Sequence, residues 1–242
     1  MAELFAINHE TGNLTQWTAA VSEAMSAVTP GLAGTNYAAS KTMNANVGYL
    51  RKDFTWTTGV LRIRLYMDQN TTASASGSIY PRVLNIFNET QGLLVVDMLW
   101  RTINGFAQQR PSFRGYNDAS GFYATAEQAV TVGPHYYELR LTRAATNSSA
   151  DGSASVFLDG EASATYATGA IIDNFDRMLP TDTYSLRVGI AGSGDANLSG
   201  TFLFDEIVAV DTDTVIGGLP STRSVSVAVA AQRLGLDVGL HF

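Results

Sequence analysis

No cysteine occurs in the 242 residues. That excludes a disulfide scaffold, a thiolate metal site and a cysteine nucleophile. Lysine is nearly absent as well: it occurs only at Lys41 and Lys52, and every other cation is arginine. Charged residues are only 15% of the chain and leave a net charge of −7. A surface of that sign repels a phosphate backbone, so nucleic acid is excluded as the main partner. No apolar run reaches the roughly 18 residues that a spanning helix needs, and no membrane partner is expected. The opening Met1-Ala2-Glu3-Leu4 lacks the basic-then-apolar order of a signal peptide. The expectation is therefore a chain that begins at its first strand. Histidine occurs only as His9, His135 and His241, too scattered for a zinc site.

What is present reads as an all-β protein. Hydrophobic residues are 45%, and 22 glycines with many Thr, Ser, Asn and Asp separate short apolar runs. In the segment 60–67, Leu61, Ile63, Leu65 and Met67 share one face while Arg62, Arg64 and Tyr66 share the other. Period two marks a half-buried strand. Segments 137–142, 153–158 and 184–190 repeat the pattern, and further strands are expected at 83–88, 93–101, 121–126 and 201–210. Asp159-Gly160 signals a tight hairpin turn. Segment 19–28 reads equally as a helix or an irregular strand, and 171–178 as one short helical turn. Near the end, Gly217-Gly218-Leu219-Pro220-Ser221-Thr222 reads as a linker into an apolar tail.

Four segments, in order, resemble the concanavalin A-like lectin/glucanase superfamily, including its laminin-G-like members. The stretch from Phe5 to Trp17, with Gly12 and Leu14, resembles the opening strand and turn of that family. Tyr136-Tyr137-Glu138-Leu139-Arg140-Leu141 resembles its W-Y-x-(L/V)-x-(L/V) strand. Ser155-Val156-Phe157-Leu158-Asp159-Gly160-Glu161 resembles its hairpin, and Gly200-Thr201-Phe202-Leu203-Phe204-Asp205-Glu206-Ile207-Val208 its closing strand. The resemblance implies one two-sheet antiparallel jelly roll. It implies no single function, because the superfamily holds lectins, glycosidases, lyases, adhesion domains and virion proteins.

Glycosidases of the family place catalytic acids as E-x-D-x-E on one strand, so that the carboxylates share a face and flank the scissile bond. That motif is absent; the nearest pairs are Asp205/Glu206, which a strand points to opposite faces, and Asp173/Asp176, in a loop. The lyases of the family carry Gln-x-His and Tyr-x-Lys patterns, which are absent too. A Ser–His–Asp triad stays open on spacing alone, without a G-x-S-x-G elbow. Asp211-Thr212-Asp213 and the 173–176 loop offer hard oxygen ligands, yet the lectin metal loop is missing, and no metal or cofactor is expected. The segment 100–123 interleaves aromatics with arginine. Its candidate ligand or partner contacts are Trp100, Arg101, Arg110, Phe113, Arg114 and Tyr116. Such side chains stack on sugars, anchor a protein interface, or simply pack their own loop. Arg62, Arg64, Glu138, Arg140 and Arg187 each face away from their strand's apolar side. They line one polar sheet face, as a glycan surface or as cross-strand ion pairs.

The expected fold is all-β: a two-sheet antiparallel jelly-roll sandwich over 1–217, with a linker and extended C-terminal tail over 218–242. Leu234, Leu236, Val238, Leu240 and Phe242 alternate along that tail and are expected to make an oligomer contact, because an unpaired apolar strand needs a partner. The missing catalytic motif, the missing leader and this tail together lead to a non-catalytic structural or adhesion protein of a larger assembly. A phage virion decoration or tail-associated component is the expected role, with no enzyme activity. Its partners would be copies of itself and other assembly proteins, with glycan as a further candidate. It would sit in a virion, or outside the cell if a signal peptide has been removed. The alternative is a glycan-binding module or divergent glycosidase of the same fold.

Overall fold

The computed structural model describes residues 3–21, 25–75, 79–101, 110–192 and 195–219. In chain order the strands are β1 (Glu3–Ile7), β2 (Ala19–Val21), β3 (Met25–Val28), β4 (Ala38–Thr42), β5 (Gly48–Thr55), β6 (Val60–Asp68), β7 (Ala73–Ser74), β8 (Arg82–Asn88) and β9 (Leu93–Arg101). They continue as β10 (Arg110–Tyr116), β11 (Phe122–Ala124), β12 (His135–Thr142), β13 (Ser153–Leu158), β14 (Tyr166–Ala167), β15 (Thr183–Ile190), β16 (Leu198–Ser199) and β17 (Thr201–Val210). One sheet runs β14-β13-β12-β6-β17-β4-β3, with β1 also paired to β17. The other runs β11-β10-β9-β8-β15-β5-β2, and β16 and β7 form a small ribbon. The ladders of both large sheets are antiparallel. Segment 19–28 is two short strands, β2 and β3, one in each sheet. Segment 171–178 contributes a single 3-10 turn at Asp176–Met178.

The inner faces close on one apolar core. From the first sheet, Leu61, Ile63 and Leu65 of β6, Leu139 and Leu141 of β12, and Phe202 and Phe204 of β17 are buried. From the second, Leu50, Tyr184, Leu186, Val188, Met98 and Trp100 meet them. Trp100 crosses edge-on to Phe202 at 4.8 Å, a contact that joins the two sheets. The expected alternation holds wherever a strand is long and unbulged. The expected hairpin turn forms as well: Asp159 (φ 50°) and Gly160 (φ 82°) both take the left-handed conformation of a type I′ turn, although β14 begins only at Tyr166.

The outer face of the first sheet is a clamp. Arg62 pairs with Glu138 at 2.7 Å and with Asp213 at 2.9 Å, and Arg140 reaches Asp213 at 2.6 Å. Asp213, which the sequence offered as a metal ligand, is instead held by these arginines, Arg140 first, and lowered to about 2. Glu138 accepts the N–H of Ile216 and of Gly217, and Arg64 donates to the Gly217 carbonyl. Leu219 donates its N–H to Tyr66 Oη and packs with Leu32, Tyr66, Tyr136 and Leu203. Residues 211–219 therefore lie on the sheet, and the arginines and Glu138 are cross-strand pairs under that segment. Arg187, grouped with them by alternation, stands on the other sheet. The expected oligomer contacts Leu234, Leu236, Val238, Leu240 and Phe242 lie outside the described residues.

Glu206 sits on this same side with a left-handed backbone (φ 49°) at the β17 bulge. Burial, then the Asp205 charge, raises its carboxyl from 4.5 to about 7. The folded value lies above the unfolded one, so this contribution is complete below about pH 4.5 and is lost as pH rises through 7. Glu206→Gln should therefore stabilise the protein at pH 8, by about 2–3 kcal/mol at most, and change nothing at pH 4. Thermal unfolding at both pH values checks this; equal gains at both would refute it.

Candidate functional site

The outer face of the second sheet carries a charged row that no single strand shows. Residues directly opposite in an antiparallel pair point to the same side. The register links Arg114 to Asp97, Asp97 to Asn85, Asn85 to Arg187, and Arg187 to Arg51. Five side chains from β10, β9, β8, β15 and β5 thus form one transverse band. Their in-line neighbours along each strand, Leu84, Ile86, Met98, Phe113, Leu186, Val188 and Leu50, point into the core and fix the direction of the band.

Asp97 is the fully buried centre of one half. Arg114 grips it in a two-pronged pair, through Nε to Oδ1 at 2.8 Å and through Nη2 to Oδ2. Arg82 stands 2.7 Å from Oδ2, and Tyr116 Oη donates to the same oxygen at 2.9 Å. Burial, with the Asp97 charge behind it, raises the Tyr116 phenol to about 12. Burial opposes the Arg114 charge, but its bonds to Asp97 outweigh that and raise its pKa. In the other half, Arg187 donates to Glu89 Oε1 at 2.7 Å and lies over the Phe87 ring at 3.9 Å and the Tyr49 ring at 5.2 Å. Arg51 holds Asp53 through two bonds of 2.6 and 3.0 Å. Glu89 is partly buried, which works against its charge, but hydrogen bonds from Ser185 and Arg187 win and lower its pKa. Between the halves, Asn85 donates to the Ala191 carbonyl at 3.4 Å, and its Oδ1 has no hydrogen-bond partner among the described residues. Four arginines, 51, 82, 114 and 187, face three carboxylates, 53, 89 and 97. The face is net cationic on an acidic protein, and aromatic rings border the guanidiniums.

The residues singled out in segment 100–123 separate by face. Arg114 and Tyr116 belong to the band. Trp100 and Phe113 are core side chains, 0% and 2% exposed, and present no surface to a ligand or subunit. Alternation explains it: Phe113 neighbours Arg114 and so faces inward. Arg101 pairs with Glu127 at 2.8 Å, and Arg110 opens β10 opposite Arg101. Asp97, Asn85, Arg82 and Arg51 were not singled out. A charged residue inside Leu94-Val95-Val96-Asp97-Met98-Leu99-Trp100 was the available signal.

Two of the three histidines, His9 and His135, lie among the described residues. Trp17 Nε1 donates to His9 Nε2 at 3.0 Å, and an indole can only donate. His9 therefore carries its proton on Nδ1 and gives it to Asp205 at 3.1 Å. At His9 both ring nitrogens are thus engaged. At His135 a hydroxyl does lie on Nε2, that of Thr131 at 3.0 Å, but the Thr131 carbonyl stands at 3.0 Å from the same nitrogen and takes its N–H. His135 bonds Asp159 at 2.5 Å at the expected strand entrance, and that bond raises its pKa.

No family model matches the chain, and no curated protein does. Solved structures do. The cellulose induced protein Cip1 aligns with TM-score 0.58 and 15% identity, over 88% of this chain and 100% of that one. Alginate lyase vAL-1 from Chlorella virus aligns with TM-score 0.53 and 8% identity, over 86% and 99%. The alginate lyase from Klebsiella pneumoniae aligns with TM-score 0.51 and 10% identity, over 80% and 86%. The fold is a concanavalin A-like jelly roll. At such identities the likeness establishes architecture. It corrects two expectations all the same, the virion structural role and the absence of enzyme activity: the structures matched include alginate lyases, and neither self-association nor assembly partners gain support. The error has a physical origin. A missing E-x-D-x-E strand excludes one way of building a site, whereas this sheet builds its polar band across strands. The alternative, a glycan-binding module or divergent glycosidase of the same fold, is the better supported of the two expectations.

Proposed function

We propose that this protein is carbohydrate-active and takes an acidic polysaccharide across the outer face of its second sheet. The observation that carries the reading is the in-register band of Arg114, Asp97, Asn85, Arg187 and Arg51. Guanidiniums match carboxylates in planar, two-pronged geometry, and spacing them across strands suits a repeating chain. β-Elimination at a uronate is the reaction class that such a site serves. In that reaction a base takes the proton beside the carboxylate, the glycosidic C–O bond breaks and an acid protonates the leaving oxygen. The band supplies neither a free base nor a free acid, and its share is to bind and orient the chain. Tyr116, its pKa raised to about 12, stays protonated at neutral pH and donates its hydroxyl to Asp97, so that it orients this end of the band. Asp97, Glu89 and Asp53 are engaged by arginine and suit positioning rather than proton abstraction.

The test is a panel of alginate, pectate and a neutral glucan, read by calorimetry for binding and by ultraviolet absorbance for unsaturated uronate ends. Acidic chains should bind more weakly as salt rises, and Arg187→Ala should lower affinity about tenfold or more, equivalent to about 1.4 kcal/mol. Failure of every acidic polysaccharide to bind at low salt, or wild-type binding by Arg187→Ala, would remove the proposal.

A further inference from the structure

Phe122 opens the short edge strand β11, and it is 51% exposed. Its register partner is Tyr116, while Ala124 opposes Arg114, so its ring stands on the same outer face as the charged band. Arg114 lies 4.9 Å from the Phe122 ring centroid, and the Tyr116 ring lies 5.9 Å away. One side of the ring is thus held by a cation that Asp97 pins in turn. The remainder of its apolar area is open, at a sheet edge where exposed apolar surface invites non-specific pairing. Nothing in the core requires a phenylalanine there.

We infer that Phe122 is a sugar-stacking subsite at one end of the band, receiving the apolar C–H face of a sugar ring of the bound chain. The inference rests on the function proposed above and adds a length requirement. From β5 to β11 there are five strand intervals, about 24 Å at ~4.8 Å each. Only an oligosaccharide long enough to cross that distance touches Arg51 and Phe122 together. Short oligosaccharides held by the arginines would not sense the ring.

The experiment measures affinity for a size-fractionated ladder of acidic oligosaccharides, with wild type, Phe122→Ala, Phe122→Trp and Arg187→Ala. Phe122→Ala should keep the wild-type melting temperature and affinity for the shortest binding oligomer, and lose about tenfold for the longest. Phe122→Trp should retain tight binding of the longest. Equal affinity of Phe122→Ala and wild type for long chains overturns the subsite. So does an equal loss at all lengths, which would make Phe122 a support for Arg114. If Arg187→Ala also binds like wild type, the functional reading itself has failed; if only Phe122→Ala is silent, the subsite alone has.

Discussion

Asp205→Ala should destabilise the protein by about 3–5 kcal/mol, the range for breaking a buried, hydrogen-bonded charge network by removing one member. The carboxylate is fully buried on β17. Its Oδ1 accepts from His9, and its Oδ2 accepts from the Leu32 N–H at 3.0 Å and from the Thr35 hydroxyl. Through His9 it also fixes Trp17. One side chain thus ties the turn after β1 and the 31–35 turn to the closing strand. Its removal leaves several buried donors unsatisfied at once, and each such group costs about 1–3 kcal/mol. For a chain of this size the melting temperature should fall by on the order of 10 °C. Trp17 fluorescence should report the loosened turn. Asp205→Asn should fall between, because an amide keeps one acceptor oxygen and presents a donor to Leu32 or Thr35 where an acceptor is needed. An alanine variant that melts with wild type would show that the turns are held by packing alone.

The same residue shows how far the sequence could be read. The closing strand was legible from Phe202, Phe204 and its family pattern, and so were β6 and β12, because long strands with one wet face alternate visibly. The two short strands β2 and β3 were not, since three or four residues carry too little period. β8 was legible as a strand over 83–88, but its two faces were not. Its bulges break the alternation, so that Val83 and Leu84 are both buried. The functional face was the least legible. Alternation gives Arg187 an outward direction but not a sheet, so it was grouped with Arg62, Arg64, Glu138 and Arg140, which lie on the opposite side of the sandwich. Asp97 and Asn85 sit in runs that read as core strand. Only the strand order brings residues 51, 85, 97, 114 and 187 into line, and strand order depends on long-range pairing that local pattern does not encode.

Asp97→Ala separates the structural from the functional share of that line. Asp97 is 0% exposed and faces Arg82 and Arg114, with Tyr116 bonded to it. Without it two guanidiniums confront each other across a half-buried space. The expected cost is about 3 kcal/mol, the low end for a broken buried pair because Arg82 and Arg114 keep some access to water. Adding Arg82→Met and Arg114→Met should return most of that stability, since an apolar cluster of similar volume needs no counter-charge. Affinity for acidic polysaccharide should be lost in both the single and the triple variant, because the single variant no longer holds Arg114 in a fixed orientation and the triple variant lacks it. Tyr116 supplies an independent readout. Burial and then the Asp97 charge hold its phenol at about 12. Spectrophotometric titration should therefore find Tyr116 ionising at lower pH in Asp97→Ala than in wild type. A triple variant that regains stability and still binds would mean that the ligand lies elsewhere on the molecule. A single variant as stable as wild type, with Tyr116 unmoved, would mean that Asp97 does not organise this face.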